Sequence, residues 1–265
     1  MIDLPRSTFY YRAMSVSPPI TDDKLVGLIG DIQDEFPGYG YRRVTVELVR
    51  RGIAVNHKRV SRVMRAHGLG VKPRRRFVRT TDSNHDQPIF PNLYGNVIPA
   101  KPNRVWVADI TYIRLIAGFC YLAAILDACS RKVVGYAISR QIDTQLALAA
   151  LHAAVRCRCP PEGCIHHSDR GCQYASAEYR RALKQYKLVG SMSSRANPYY
   201  NVQAESSMKT LKVEEVYLAG YERFEDVAAR LPTFIEAIYN DRRPHSALGY
   251  RSPTEFEAHV AQLAA

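Results

Sequence analysis

No stretch of this chain is long and apolar enough to cross a membrane as a helix, and Met1-Ile-Asp-Leu-Pro-Arg6 has none of the marks of a secretory leader. A membrane-spanning or exported protein is not expected; a cytoplasmic place with access to the bacterial nucleoid is. Paired Cys-x-x-Cys motifs and a His-x-x-x-His spacing are also missing. The six cysteines, Cys120, Cys129, Cys157, Cys159, Cys164 and Cys172, therefore complete no tetrahedral zinc set by spacing, and free thiols in a reducing compartment are expected. Acid is nearly absent from one segment. Between residues 40 and 80, 13 Lys or Arg accompany a single acid, Glu47, while the remainder carries 24 residues of each sign, so the formal charge of +12 resides in that segment alone. Such one-sidedness points to a polyanionic partner, nucleic acid first among them.

What is present suits a multi-part globular protein: 265 residues, 46% of them hydrophobic and 23% charged. Residues 21–80 read as helical. Thr21 caps a helix running to about Glu35 with Leu25, Leu28, Ile29 and Ile32 on one stripe. After the turn-rich Phe36-Pro-Gly-Tyr-Gly40 comes a helix over roughly 41–51, with Val44, Leu48 and Val49 inward and Gly52 as its stop. A third, from about Asn56 to His67, turns Val60, Val63 and Met64 inward and shows Lys58, Arg59, Arg62 and Arg65 on its other face. Two short helices ending on a basic one predict a helix-turn-helix-like domain over 1–80 that contacts DNA, with Arg74, Arg75 and Arg76 extending the patch.

Residues 81–104 are polar and dotted with Pro88, Pro91, Pro99 and Pro102, and read as an extended linker lying on the next domain. Strands follow at Val105–Leu115, Phe119–Leu126 and Lys132–Ile138, an antiparallel meander. A helix at Thr144–Val155, a short strand at Cys164–His167, a helix within Tyr174–Tyr186, a strand at Leu188–Met192 and a helix at Asn201–Val216 complete the order. That succession predicts an α/β fold of the ribonuclease H-like kind, a mixed sheet flanked by helices over 105–243, with a C-terminal tail at 244–265. Pro232 interrupts the apolar stripe Phe224, Val227, Leu231, Ile235 and Ile238, and a kink is expected there.

Three acids stand out. Asp109 lies in the strand Trp106-Val-Ala-Asp-Ile-Thr-Tyr112, Asp169 in His166-His-Ser-Asp-Arg-Gly-Cys-Gln-Tyr174 where a strand breaks into a turn, and Glu205 on the helix from Asn201. Hard oxygen ligands on three separate elements suit two divalent ions, Mg2+ or Mn2+, which neutralise charge on the entering and leaving oxygens of a phosphate ester. Asp127, in Asp127-Ala-Cys-Ser-Arg131, has ordinary turn surroundings and reads as structural. Adjacent His166 and His167 point to opposite faces of their strand, so at most one faces the acids; His167 is the better candidate to support them from behind or to touch DNA. Lys209 and Lys212 share a helix face with Glu205 at i+4 and i+7, where they can hold DNA phosphates.

At these residues the chain resembles the DDE transposases with a retroviral-integrase-like core, and most of all the second-frame (OrfB) product of insertion sequence family three. The stretches that carry the resemblance are those around the three acids together with Asp127-Ala-Cys-Ser-Arg-Lys-Val-Val-Gly135, Leu211-Lys-Val-Glu-Glu215, Tyr239-Asn-Asp-Arg-Arg-Pro-His-Ser246 and, near the N-terminus, Tyr39-Gly-Tyr-Arg-Arg43. The resemblance implies that Asp109, Asp169 and Glu205 are the acidic triad, that Asn201 supports them, and that Lys212 touches terminal DNA. It implies nicking at the 3′ ends of an insertion sequence followed by strand transfer into target duplex, by a homo-oligomer on DNA. It also implies an upstream-frame partner protein (OrfA), whose segment this chain is expected to lack, leaving end recognition weak. A departure is Tyr200, where the resemblance favours Asp.

Overall fold

The structure, a computed structural model, describes residues 20–71, 88–95, 98–116, 118–193 and 202–264. It divides into two compact units, Met1–Val71 and Lys72–Ala265. Of the predicted site residues, Arg74, Arg75, Arg76 and Asn201 lie outside the described residues, as does Tyr200.

Among its described residues the first unit has three helices: α1 (Asp22–Glu35), α2 (Tyr41–Arg50) and α3 (His57–Ala66). Thr21 and Asn56 each accept a backbone N–H of the first turn that follows, from Lys24 and Lys58, which satisfies donors the helix cannot. Leu25, Ile29, Ile32, Val44, Leu48, Val60 and Val63 form its core. One expectation fails. Val49 is 55% exposed and Glu47 is buried in its place. At about 100° per residue Val49 stands about 140° away from Val44, whereas Glu47 stands only about 60° from it, at the edge of the buried stripe. Arg51 bonds both Glu47 and Glu35 and so offsets the burial of acid.

The second unit is built on a five-stranded sheet in the order β3-β2-β1-β4-β5. The strands are β1 (Val105–Leu115), β2 (Gly118–Asp127), β3 (Val133–Ser139), β4 (Ile165–Ser168) and β5 (Val189–Met192). The first three are antiparallel, while β4 runs parallel to β1, with Val107 opposite His167, and β5 parallel to β4. Alternation along β1 divides the core. Trp106, Ala108 and Ile110 pack beneath α4 (Thr144–Arg158) and α5 (Ala177–Gln185). On the opposite face, Ile113 joins Met208, Leu211 and Val216, while Val105 and Val107 close around Ala204. That face is covered by α6 (Val202–Leu211), which continues as a π turn at Lys212–Val216, and by α7 (Phe224–Thr233), which continues as a π segment at Phe234–Asn240. At the expected kink the helix runs on through Pro232 and changes its hydrogen-bonding register from Phe234, two residues after the one that lacks an N–H.

The proline-dotted segment lies against β5. Pro91 accepts the Met192 N–H, Leu93 donates to Ser191 Oγ, and a Cβ added to Gly190 would stand 2.5 Å from the Phe90 ring. Residues 244–265, expected as a tail, contain α8 (Pro253–Ala264). Glu257 on α8 accepts both terminal nitrogens of Arg158, each at 2.8 Å, and the Ser130 hydroxyl at 2.7 Å. Asn240 pairs with both backbone groups of Val133, at 2.9 and 3.0 Å, as a neighbouring strand would.

Candidate active site

Asp109 is the one residue of Val105–Ile110 that is half-buried, the others being buried outright. By alternation it faces the side of the sheet occupied by α6, and Ala204, buried against Val105 and Val107, brings Glu205 to that side. Asp169 follows the last residue of β4, the strand beside β1. One of its oxygens accepts the Gly171 N–H at 2.9 Å, so it caps the turn as well as facing the other acids. Arg170 ties the turn to the end of β5 by donating to the Ser193 carbonyl at 2.9 Å.

Electrostatics joins the three. Burial pushes the Asp109 carboxyl well above the usual carboxylate range; the charges of Asp169 and Glu205 push it further, while the Ile110 N–H and Lys212 draw it back. Glu205 is likewise raised, by desolvation and then by Asp169. Desolvation first and the neighbouring like charges second produce this pattern. Among the described residues, however, no three His, Cys, Asp or Glu side chains are gathered closely enough to hold a metal ion. The donor set is chemically right for a hard divalent cation, which would offset the mutual repulsion.

Lys212 lies beside this group. Burial lowers its pKa against the pull of Asp109, and its Nζ sits 3.9 Å from the centre of the Tyr112 ring. Tyr112, three residues beyond Asp109 on the same strand, went unassigned in the sequence because a strand tyrosine is most often packing. Lys209 is exposed.

Other predicted residues fall differently. His167 shares the Asp109 face but is fully buried, with Nδ1 2.8 Å from Ser191 Oγ and its ring 5.2 Å from that of Tyr94. A direct DNA contact by His167 is thereby corrected: the linker segment lies over it. His166, on the other face, meets the Tyr179 hydroxyl at 3.0 Å, and burial depresses its pKa to about 3, so the ring is neutral. Asp127 accepts backbone N–H groups from Asn103, Cys129 and Ser130, which fixes the β2–β3 turn. In the helical unit, Arg59 and Arg62 both bind Asp22, whose pKa Arg59 and then Arg62 lower. Lys58, Arg62 and Arg65 line an open cleft of about 480 Å³ together with Tyr41, His57, Ser61 and Ala66.

Comparison with known proteins agrees with this architecture. Models described as integrase core domain match residues 99–198 and 187–253, and one described as an HTH-like domain matches 21–77. The chain is 40% identical over 228 residues to the insertion element IS600 uncharacterized 31 kDa protein of Shigella sonnei, covering 86% of this chain and 84% of that one. It is 39% identical over 220 residues to the transposase InsF for insertion sequence IS3A of Escherichia coli strain K12, covering 83% and 76%. Among solved structures, a chain of the simian T-cell lymphotropic virus intasome, in complex with PP2A regulatory subunit B56 gamma, shares the fold with a TM-score of 0.52 at 15% identity, over 86% of this chain and 74% of that one. A ribonuclease H-like sheet with an integrase core, behind an HTH-like helical unit, defines a DDE-type polynucleotidyl transferase. Within that class the chain belongs to the IS3-family transposases.

Proposed function

We propose that this transposase nicks the 3′ ends of an insertion sequence and transfers them to a second duplex, with Asp109, Asp169 and Glu205 as its catalytic acids. The supporting observation is that the three carboxyls share one electrostatic environment: beyond desolvation, the charges of Asp169 and Glu205 raise Asp109, and that of Asp169 raises Glu205. These three carboxylates would hold two divalent ions, Mg2+ or Mn2+. Bound there, such ions supply charge neutralisation at the phosphate and activation of the attacking oxygen. Lys212, steadied over Tyr112, and exposed Lys209 grip phosphates next to the scissile bond. His167 acts at a distance by holding the end of β4, through Ser191, under the turn that carries Asp169. Asn201 supports the acids in this reading.

Double-stranded DNA, as element ends and as target, is the partner, and the protein works on it as a homo-oligomer. Lys58 and Arg65 contact DNA from the cleft of the helical unit, with Arg74, Arg75 and Arg76 beyond it. Arg59 and Arg62 contribute less, because each is engaged by Asp22. An upstream-frame partner supplies end recognition, and the cell interior around the nucleoid is the place of action.

A pre-cut element end incubated with plasmid and Mg2+ tests the reading. Joined product is expected from the wild type and none from Asp169→Asn. Cleavage without joining would indicate a nuclease instead, and joining by Asp169→Asn would remove that acid from the set.

A further inference from the structure

Helix α6 and its π turn display two polar stripes. Glu205, Lys209 and Lys212 recur at i, i+4 and i+7. Ser207, Thr210 and Glu214 recur at i, i+3 and i+7, and at about 100° per residue Ser207 and Thr210 stand about 160° and 140° around the helix from Glu205. The second stripe is gripped by residues that follow α7. Arg243 donates Nε to Glu214 Oε2 at 2.7 Å and Nη2 to Glu214 Oε1 at 2.8 Å, and Nη2 lies 3.4 Å from Thr210 Oγ1. The Tyr239 hydroxyl meets Ser207 Oγ at 2.9 Å. Arg243 is itself held: its guanidinium lies 5.7 Å from the Tyr239 ring centre, and Nη1 is 3.2 Å from the His245 ring, which packs edge-on to Tyr239. The ion pair is withdrawn from water, with side chains 6% and 8% exposed.

Around this cluster the packing is apolar, made by Met208, Leu211, Val216, Leu231, Phe234 and Ile235. Apolar packing holds a helix against a sheet but tolerates rotation about its axis. A two-pronged guanidinium–carboxylate pair does not, because it is directional. From this geometry we infer that Arg243 is a positioning residue. Through Glu214 and Thr210, and with Tyr239 on Ser207, it fixes the rotation of α6 so that Glu205, Lys209 and Lys212 face Asp109. The inference rests on the reading of those three as site residues.

Arg243→Lys keeps the charge and loses the fork; Arg243→Gln loses both. Expected for Arg243→Lys is a fall in strand-transfer rate of about 10- to 100-fold, DNA affinity within about twofold of wild type, and a larger rate loss for Arg243→Gln. Amide hydrogen exchange is expected to quicken in 202–216 while β1 and β4 keep their protection. Unchanged exchange in 202–216, a rate within about twofold of wild type, or exchange quickening through the whole sheet would each overturn the inference. If both Arg243 variants fail to fold, Tyr239→Phe, which removes one hydroxyl, decides by the same two readouts. Exchange needs no turnover, so a wild type without strand transfer would defeat the proposed function and leave the clamp to be judged separately.

Discussion

Asp109 answers two opposed demands. The proposed function needs it ionised, yet burial and the charges of Asp169 and Glu205 resist ionisation. The raised carboxyl means that the folded state binds a proton more tightly than the unfolded chain does. Its contribution is therefore fully present below the ordinary carboxylate pKa and is lost as pH rises through the folded value. Asp109→Asn makes the neutral form permanent. It is expected to abolish nicking and strand transfer while raising the melting temperature of the metal-free protein. Calorimetry without divalent ions at pH 7 checks this; an unchanged or lower melting temperature would show that Asp109 is not under charge stress. The gain should shrink as pH falls toward the usual carboxylate range, because there the wild type is protonated too. The three acids were legible in the sequence, since each stands in a distinctive run. The Arg243–Glu214 pair was not, for its members are 29 positions apart and either reads as a solvated surface charge until the fold joins them.

Among elements, the sheet and its helices were readable because their apolar signals are clear: the β-branched and aromatic run of β1 and the stripe of α1 survive into the structure with their boundaries nearly intact. What was not readable is where backbone meets backbone. Gly135 on β3 looks like an ordinary strand glycine, yet a Cβ there would overlap the backbone of Ala150 and Ala154 on α4. The glycine permits the helix to lie directly on the strand. Gly135→Ala is expected to lower stability by about 1–3 kcal/mol, as overpacking does, and urea denaturation would measure it; a midpoint equal to wild type would mean that α4 shifts away freely. The π segments and α8 were likewise illegible. Hydrophobic period says nothing about a change of register, and α8 gains its place partly from Glu257 reaching Arg158 and Ser130, a polar attachment with no apolar signature.

For the molecule as a whole, charge is the organising quantity. A formal +12 confined to residues 40–80 leaves the remaining chain neutral, so attraction to DNA should reside in one segment and the proposed catalytic acids in another. Binding to duplex of any sequence should then weaken steeply with salt, because each Lys or Arg set against a phosphate releases a counterion. The structure refines which cations count. Lys58 and Arg65 line the cleft, whereas Arg59 is spent on Asp22. Lys58→Gln with Arg65→Gln is expected to reduce the slope of log affinity against log salt by about 2, one for each cation neutralised, with the melting temperature unchanged. Arg59→Gln is expected to do the reverse, lowering the stability of the helical unit by freeing α1 from α3 and leaving the slope near that of wild type. Fluorescence anisotropy across a salt series, beside thermal melts of each variant, separates the two. A slope that falls equally for Arg59→Gln would mean that the Asp22 pairing yields to DNA and that the whole basic face of α3 turns outward when duplex arrives.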